Sequence, residues 1–212
     1  MKQLSRHDIN KYLEFGQFNN RFLDKNYLCN ALNINDETAI TTDTIKLLLT
    51  FVHNNIHSSK DINFNRANKF RRNAQQIWES GVATGCTDYA IVFSNLAKHI
   101  GIPSTILHTA DFEYAKQLCE NAEKPRRLGH SFCECFLNGK WILVDPTKQI
   151  IEEKYNTEKI ELSYMVGGKN VFLPYVRKAE FLPETQKEHC AFMDIECIKI
   201  FNNSKSTKYE KK

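Results

Sequence analysis

An α+β fold, with helices first and a mostly antiparallel sheet after them, is what this sequence predicts, and three observations carry that expectation. Residues 41 to 101 hold three apolar stretches of helical length, punctuated by Thr, Asp, Gly and Pro. Residues 129 to 147 hold two short runs rich in aromatic and β-branched residues, separated by Asn138-Gly139, the strongest short-range signal for a tight hairpin. An apolar fraction of 42% and an aromatic fraction of 11% supply the material for a core and exclude wholesale disorder.

Taken in order, the first helix starts at about Thr41, where Thr-Thr-Asp-Thr-Ile-Lys-Leu-Leu-Leu-Thr-Phe-Val reads as a capped helix with Thr42 or Asp43 as N-cap. The segment Asp61 to Asn65 breaks it. A second helix is expected from about Arg66 to Glu79, with Phe70, Ala74, Ile77 and Trp78 on one stripe and Gly81 as its stop. The third begins near Cys86 and carries Ala90, Ile91, Phe93, Leu96, Ala97 and Ile100 on more than one face, which predicts a central buried helix ended by Gly101 and Pro103. Ser104 to Ala110 reads as a strand, Asp111 to Ala122 as a helix and Glu123 to Leu128 as a polar, basic loop. The hairpin follows. Beyond Thr147 the pattern weakens: Gly167-Gly168 marks a turn, Val171 to Val176 fits a strand, and Pro183 to Phe201 fits neither type clearly.

The 212 residues suit one folded unit. The expected organisation is a helical extension at 1 to 65, a core at 66 to 201 best supported over 66 to 147, and a flexible basic tail at 202 to 212. A net charge of +4 is modest, and none of its basic runs (Lys69 to Arg72, Lys124 to Arg127, Lys205 to Lys212) is interleaved with aromatics in a nucleic-acid-binding pattern, so solvated faces are expected and nucleic acid is not expected as a partner. No apolar run approaches the roughly 18 residues of a membrane span. The first residues lack the apolar segment of a secretory leader. Seven cysteines (Cys29, Cys86, Cys119, Cys133, Cys135, Cys190 and Cys197) without repeated spacing fit a reducing compartment better than a disulfide framework. The expectation is a cytoplasmic protein, or one exported without an ordinary leader, and not a membrane partner.

Chemistry concentrates at three places. Gly85-Cys86-Thr87-Asp88 sets a cysteine at a helix start, where unpaired N–H groups and the helix dipole favour the thiolate, the nucleophilic form. The Cys86 N–H is also placed to meet negative charge on a substrate carbonyl, and Gly85 is expected to allow close approach at the turn. On one reading Cys86 is only a buried helix cysteine, a frequent fate of free cysteines. The hairpin argues otherwise. A two-residue turn at Asn138-Gly139 sets Leu137 opposite Lys140, Phe136 opposite Trp141 and Phe132 opposite Asp145. His130, Phe132 and Asp145 then share a face, with Asp145 diagonal to His130 and able to orient the imidazole. Cys133 and Cys135 point to the opposite face with Ile142 and Val144, as core residues. His108 is the only rival histidine and ranks below His130. Cys133-x-Cys135 lacks the second ligand pair of a structural zinc site, so no metal or other cofactor is expected.

From Gly85-Cys86-Thr87-Asp88-Tyr89-Ala90 to Gly101-Ile102-Pro103, and again over His130-Ser131-Phe132-Cys133-Glu134 and Gly139 to Thr147, the chain resembles the transglutaminase-like superfamily of cysteine enzymes. The resemblance covers about residues 66 to 147. It implies a papain/transglutaminase-like core, with N-terminal helices packed on an antiparallel sheet, and catalytic roles for Cys86, His130 and Asp145 on protein or peptide substrates. Phe132 stands where the family usually has tryptophan, a conservative change. No Cys-x-x-Cys pair precedes the nucleophile, which argues against the peptide N-glycanase branch, and the chain is too short for the calcium-regulated animal transglutaminases.

Acyl transfer from an amide through a thioester is the expected chemistry, by a peptidase or amidase, with a protein-glutamine transamidase or deamidase as alternatives. Gln75, Gln76 and Trp78 are the candidate second oxyanion donors. Arg126-Arg127, on the insert between the strand at 104 to 110 and the His130 strand, faces an acidic substrate or, more simply, solvent. A binding module that keeps the fold without catalysis is the rival from another class. An arylamine N-acetyltransferase-type enzyme would need acetyl-CoA, and no phosphate-cradling glycine loop is present.

Overall fold

The computed structural model describes residues 10–15, 22–35, 39–123, 125, 127–157, 162–163, 171–178 and 186–209. Its N-terminal helices are α1 (Lys25–Ala31) and α2 (Thr42–Asn55). Thr41, one residue ahead of the expected caps, holds the N-cap position of α2, and its N–H donates to the Thr44 hydroxyl at 3.1 Å. Ile45, Leu48, Leu49 and Val52 bury one stripe of this helix, each contributing about 1.5–3 kcal/mol.

The single helix expected over 66 to 79 is two: α3 (Ile62–Asn68) and α4 (Ala74–Ser80). Side-chain caps explain the change. Asp61, expected to break a helix, starts one, because its carboxylate accepts from the N–H groups of Asn63 and Phe64 at 2.8 and 3.2 Å. Asn73 starts the other through a reciprocal pair with Gln76 at 2.9 and 3.0 Å. Between them the chain turns through Phe70 at φ 62°. Gly81 closes α4 in the left-handed conformation. Two short parallel strands, β1 (His57–Ser58) and β2 (Val82–Ala83), then lead to α5 (Cys86–His99). Every residue of α5 from Thr87 to His99 is buried, as its many-sided apolar pattern predicts.

β3 (Ser104–Asp111) runs into α6 (Phe112–Cys119), capped by the Asp111 carboxylate. After the polar loop come β4 (Gly129–Leu137), β5 (Lys140–Asp145), β6 (Ile150–Glu152), β7 (Leu162–Ser163) and β8 (Val171–Lys178). Among the described residues they form one antiparallel sheet with β3, in the order β6-β5-β4-β3-β8-β7. Asn138 and Gly139 both have positive φ, 50° and 81°, as a type I′ turn requires. The pairing that follows is Leu137 with Lys140, Phe136 with Trp141 and Cys133 with Val144, the register expected. The Gly167-Gly168 turn lies outside the described residues.

The last helix, α7 (Gln186–Tyr209), settles the ambiguous segment and continues through 202 to 209, expected as a loose tail. Met193, Cys197 and Phe201 form its buried stripe, while the exposed Ile195 and Ile198 blur that stripe in the sequence. One apolar cluster joins α1 and α2 to α5 and to the face of β4 and β5 that carries Cys133, Cys135, Ile142 and Val144. Residues on both sides of position 66 therefore share a core. Two smaller clusters lie under Leu107, Phe132, Leu143 and Phe172, and between α6, α7 and β8.

Candidate active site

The site is assembled where the start of α5 meets the β4–β5 hairpin. Ahead of Cys86 the chain is held by Asp88, whose Oδ2 accepts from Arg72 Nη2 at 2.6 Å and from the Thr84 N–H and hydroxyl at 2.8 Å each. Arg72 also donates to Ser80 Oγ and to the Val82 carbonyl, both at 2.8 Å. This ion pair is almost wholly buried, with side-chain exposures of 8% and 1%. It ties the start of α5 to α4 and β2. Gly85 has extended backbone at φ 160°, and a Cβ there would meet no protein atom within 4 Å. Its absent side chain leaves cavity space open; no turn strain demands glycine at this position.

His130 Nε2–H donates to Asp145 Oδ2 at 2.8 Å, and Asp145 is fully buried. The other carboxylate oxygen, Oδ1, accepts from the N–H groups of Thr147 and Lys148 at 2.9 and 3.1 Å. The turn after Pro146 therefore fixes the carboxylate, and His53 on α2 donates to the Pro146 carbonyl at 2.7 Å. With Nε2 on Asp145, Nδ1 is the imidazole nitrogen left for Cys86, which lines the same cavity. Phe132 packs against the His130 ring edge-on at 4.6 Å.

Electrostatics favour a thiolate–imidazolium pair. Burial alone would raise the Cys86 thiol, but the hydrogen bond and charge of His130, with hydrogen bonds from the Ser131 backbone and side chain, bring it below 9.0. Burial alone would lower His130, but the hydrogen bonds and charges of Asp145 and Cys86 push it up to about 10. Buried thiols without such partners go the other way: burial pushes Cys135 and Cys197 each up to about 12.

Ser131 is a site residue that the sequence pattern did not single out. Its Oγ lies 3.0 Å from Thr87 Oγ1 and 3.0 Å from His108 Nδ1. A hydroxyl has one proton and two lone pairs. If Thr87 and His108 donate to it, its own proton is directed at Cys86. The signal was present as alternation: Ser131 and Cys133 occupy the same face of β4, and Cys133 Sγ reaches the Ala90 carbonyl of α5 at 3.4 Å.

The three candidate oxyanion donors lie elsewhere. Gln75 donates to Glu79 on its own helix at 2.8 Å, Gln76 is committed to the Asn73 cap, and Trp78 stacks on Phe51 at 5.4 Å. None lines the cavity at Cys86. Being near Cys86 in sequence did not bring them to it, because α4 turns those side chains toward solvent and the core.

That cavity holds about 250 Å³. Cys86, His130 and Ser131 form one side; Lys69, Phe70, His189 and Met193 form another. Arg127 lines it too, but its Nε–H and an Nη2–H donate to Asp194 on α7. Among the described residues no cluster of three or more His, Cys, Asp or Glu is arranged to hold a metal ion, and no helix is long and apolar enough to cross a membrane.

Comparison with known proteins agrees with this architecture. The model of the transglutaminase-like superfamily matches residues 30–146, more than half of the chain. No curated protein matches it significantly. Among solved structures, one described as a "Putative Cysteine Protease" from Cytophaga hutchinsonii superposes with a TM-score of 0.51 at 14% identity. The superposition covers 69% of this chain and 44% of that one, so this chain spans under half of that structure's length and the likeness is one of fold. A family match of that extent, on a helix start and hairpin that bring cysteine, histidine and aspartate together, makes this chain a member of the transglutaminase-like superfamily.

Proposed function

We propose that the protein is a cysteine-dependent acyl-transfer enzyme that cleaves amide bonds of protein or peptide substrates, with Cys86 as nucleophile, His130 as general acid and base, and Asp145 as the residue that orients His130. The observation that carries this reading is His130, held by Asp145 at 2.8 Å and lining one cavity with a helix-start thiol. The Cys86 thiolate attacks the amide carbonyl, and the Cys86 backbone N–H meets the oxyanion. His130 passes its proton to the leaving amine, which departs and leaves a thioester. Water, deprotonated by His130, then attacks the thioester and returns the thiol. An amine in place of water would make the same intermediate a transamidation, and ammonia as leaving group would make it a deamidation. Hydrolysis is favoured because a cavity of about 250 Å³ readily admits water.

The test is the alkylation rate of Cys86 by iodoacetamide against pH, followed by peptide mass spectrometry, in the wild type and in His130→Ala. The sign follows from the causes of the shifts. Burial raises the Cys86 thiol and His130 lowers it, so removing His130 leaves burial opposed by Ser131 alone and moves the thiol upward. At pH 7 the rate should fall more than about tenfold, the effect of moving a thiol by one pKa unit or more. A wild-type rate that rises only near pH 9 and ignores His130 would leave the fold as a non-catalytic binding module.

A further inference from the structure

We propose that the cavity selects substrates carrying a carboxylate beside the reacting amide, with Lys69 as its counter-ion; this rests on the reading of Cys86 as the nucleophile. The charge inventory of the lining is one-sided. Lys69, Arg127, His108, His130 and His189 all line the cavity, and among the described residues no Asp or Glu does. Most of these groups are already engaged. Arg127 is neutralised by Asp194, His130 by Asp145 and Cys86, His108 is bonded to Ser131, and His189 Nε2 lies 3.1 Å from the Tyr175 hydroxyl. Lys69 differs. Among the described residues its ammonium forms no ion pair; it lies over the Phe70 ring at 5.3 Å from the centroid.

The backbone is bent to present this pair. Phe70 adopts φ 62°, a conformation a bulky side chain rarely takes, and is 8% exposed. Its ring stacks on His189 of α7 at 4.0 Å and 19°, which locks the α3–α4 link against the C-terminal helix. α7 is seated closely from the other side as well. A Cβ on Gly129 would lie 2.7 Å from the Thr109 carbonyl oxygen and 3.4 Å from Met193 Sδ. The result is a cavity with closely packed walls on both sides, smaller than the roughly 300 to 1,000 Å³ that enclose drug-sized ligands. That is the scale of a substrate side chain or chain end. A carboxylate is stable in such a place only if it meets a cation and hydrogen-bond donors, and Lys69 supplies the cation not already matched. The carboxylate has two possible sources, an Asp or Glu side chain or a free C-terminus, and both present the same group.

The test uses the full chain and two reagents that differ in charge. Rates of Cys86 modification by iodoacetate and by iodoacetamide are measured at one pH in the wild type, Lys69→Met and Lys69→Arg. The anion-to-neutral rate ratio should fall about threefold in Lys69→Met, as for one partly solvated charge, and recover in Lys69→Arg. His130 attracts the anion in all three proteins, so only the dependence on residue 69 is read. A ratio that does not change with residue 69 overturns the proposal. Protection of wild-type Cys86 by N-acetylglutamate α-amide assigns the acidic side chain, and protection by N-acetylglutamine, with its free α-carboxylate, assigns the chain end. Protection by neither overturns it. If wild-type Cys86 reacts slowly with both reagents, the enzyme reading itself fails and this proposal falls with it.

Discussion

The β4–β5 hairpin and the wall made by residues 69 to 70 with α7 face the same cavity, yet they are built by opposite means. In the hairpin, a type I′ turn at Asn138-Gly139 sets the register, and strand alternation then aims His130 and Asp145 at each other across one ladder. Every step is local. In the wall, Phe70 and His189 come from distant parts of the chain, and each is useful only because the other is there. The candidate His130–Asp145 pair is positioned by short-range rules, and the facing wall of the cavity is positioned by long-range packing. Chemistry and selectivity can therefore change independently.

The start of α5 lies between these extremes and offers the most severe way to test the contrast. Arg72→Met breaks a buried pair that reaches from the α3–α4 link to Asp88. It leaves a carboxylate uncompensated, and should lower stability by about 3–5 kcal/mol in urea unfolding. A loss under 1 kcal/mol would mean that the clamp is dispensable and the helix start is as self-sufficient as the hairpin. A smaller effect is expected from Ser131→Ala. Removing a charge-assisted hydrogen bond to the thiolate should move the alkylation midpoint of Cys86 upward by about one pH unit, or roughly 1.4 kcal/mol. An unmoved midpoint would show that the Ser131 hydroxyl points to His108 or Thr87 instead. The smallest effect on the site itself is expected from Gly139→Ala. Forcing a side chain onto φ 81° should cost about 1–2 kcal/mol of stability. The pH profile of Cys86 alkylation should keep its shape, because the register is held along the rest of the ladder. A changed profile would show that the turn alone aims His130.

The parts legible in the sequence were those with a local cause. Asn138-Gly139 fixed the hairpin register, and with it the buried face of Cys133, Cys135, Ile142 and Val144. Gly81 and Gly101, both at positive φ, ended their helices as expected. The many-sided apolar pattern after Cys86 announced a central helix. Illegible parts had competing causes. Phe70 continued a helical apolar stripe, but Asn73 offers a better helix start than any residue inside a single long helix, so the stripe splits. In α7, Ile195 and Ile198 are exposed apolar residues that hide the stripe of Met193, Cys197 and Phe201. Gln75 and Gln76 were polar and near Cys86 in sequence, which says nothing about direction; α4 turns them away.

By itself, the order of residues determined the fold class, the hairpin and the pairing of His130 with Asp145, because helix starts, type I′ turns and strand alternation act over a few residues at a time; the docking of α5 on the sheet brought Cys86 to them. Only the tertiary structure decided what surrounds them. Ser131 acquires its role from Thr87 and His108, Arg72 from Asp88, and Lys69 and Phe70 from the α7 helix packed beside them. Those relations depend on where whole elements dock, and docking is set by shape and burial summed over the entire core, which no short stretch of sequence contains.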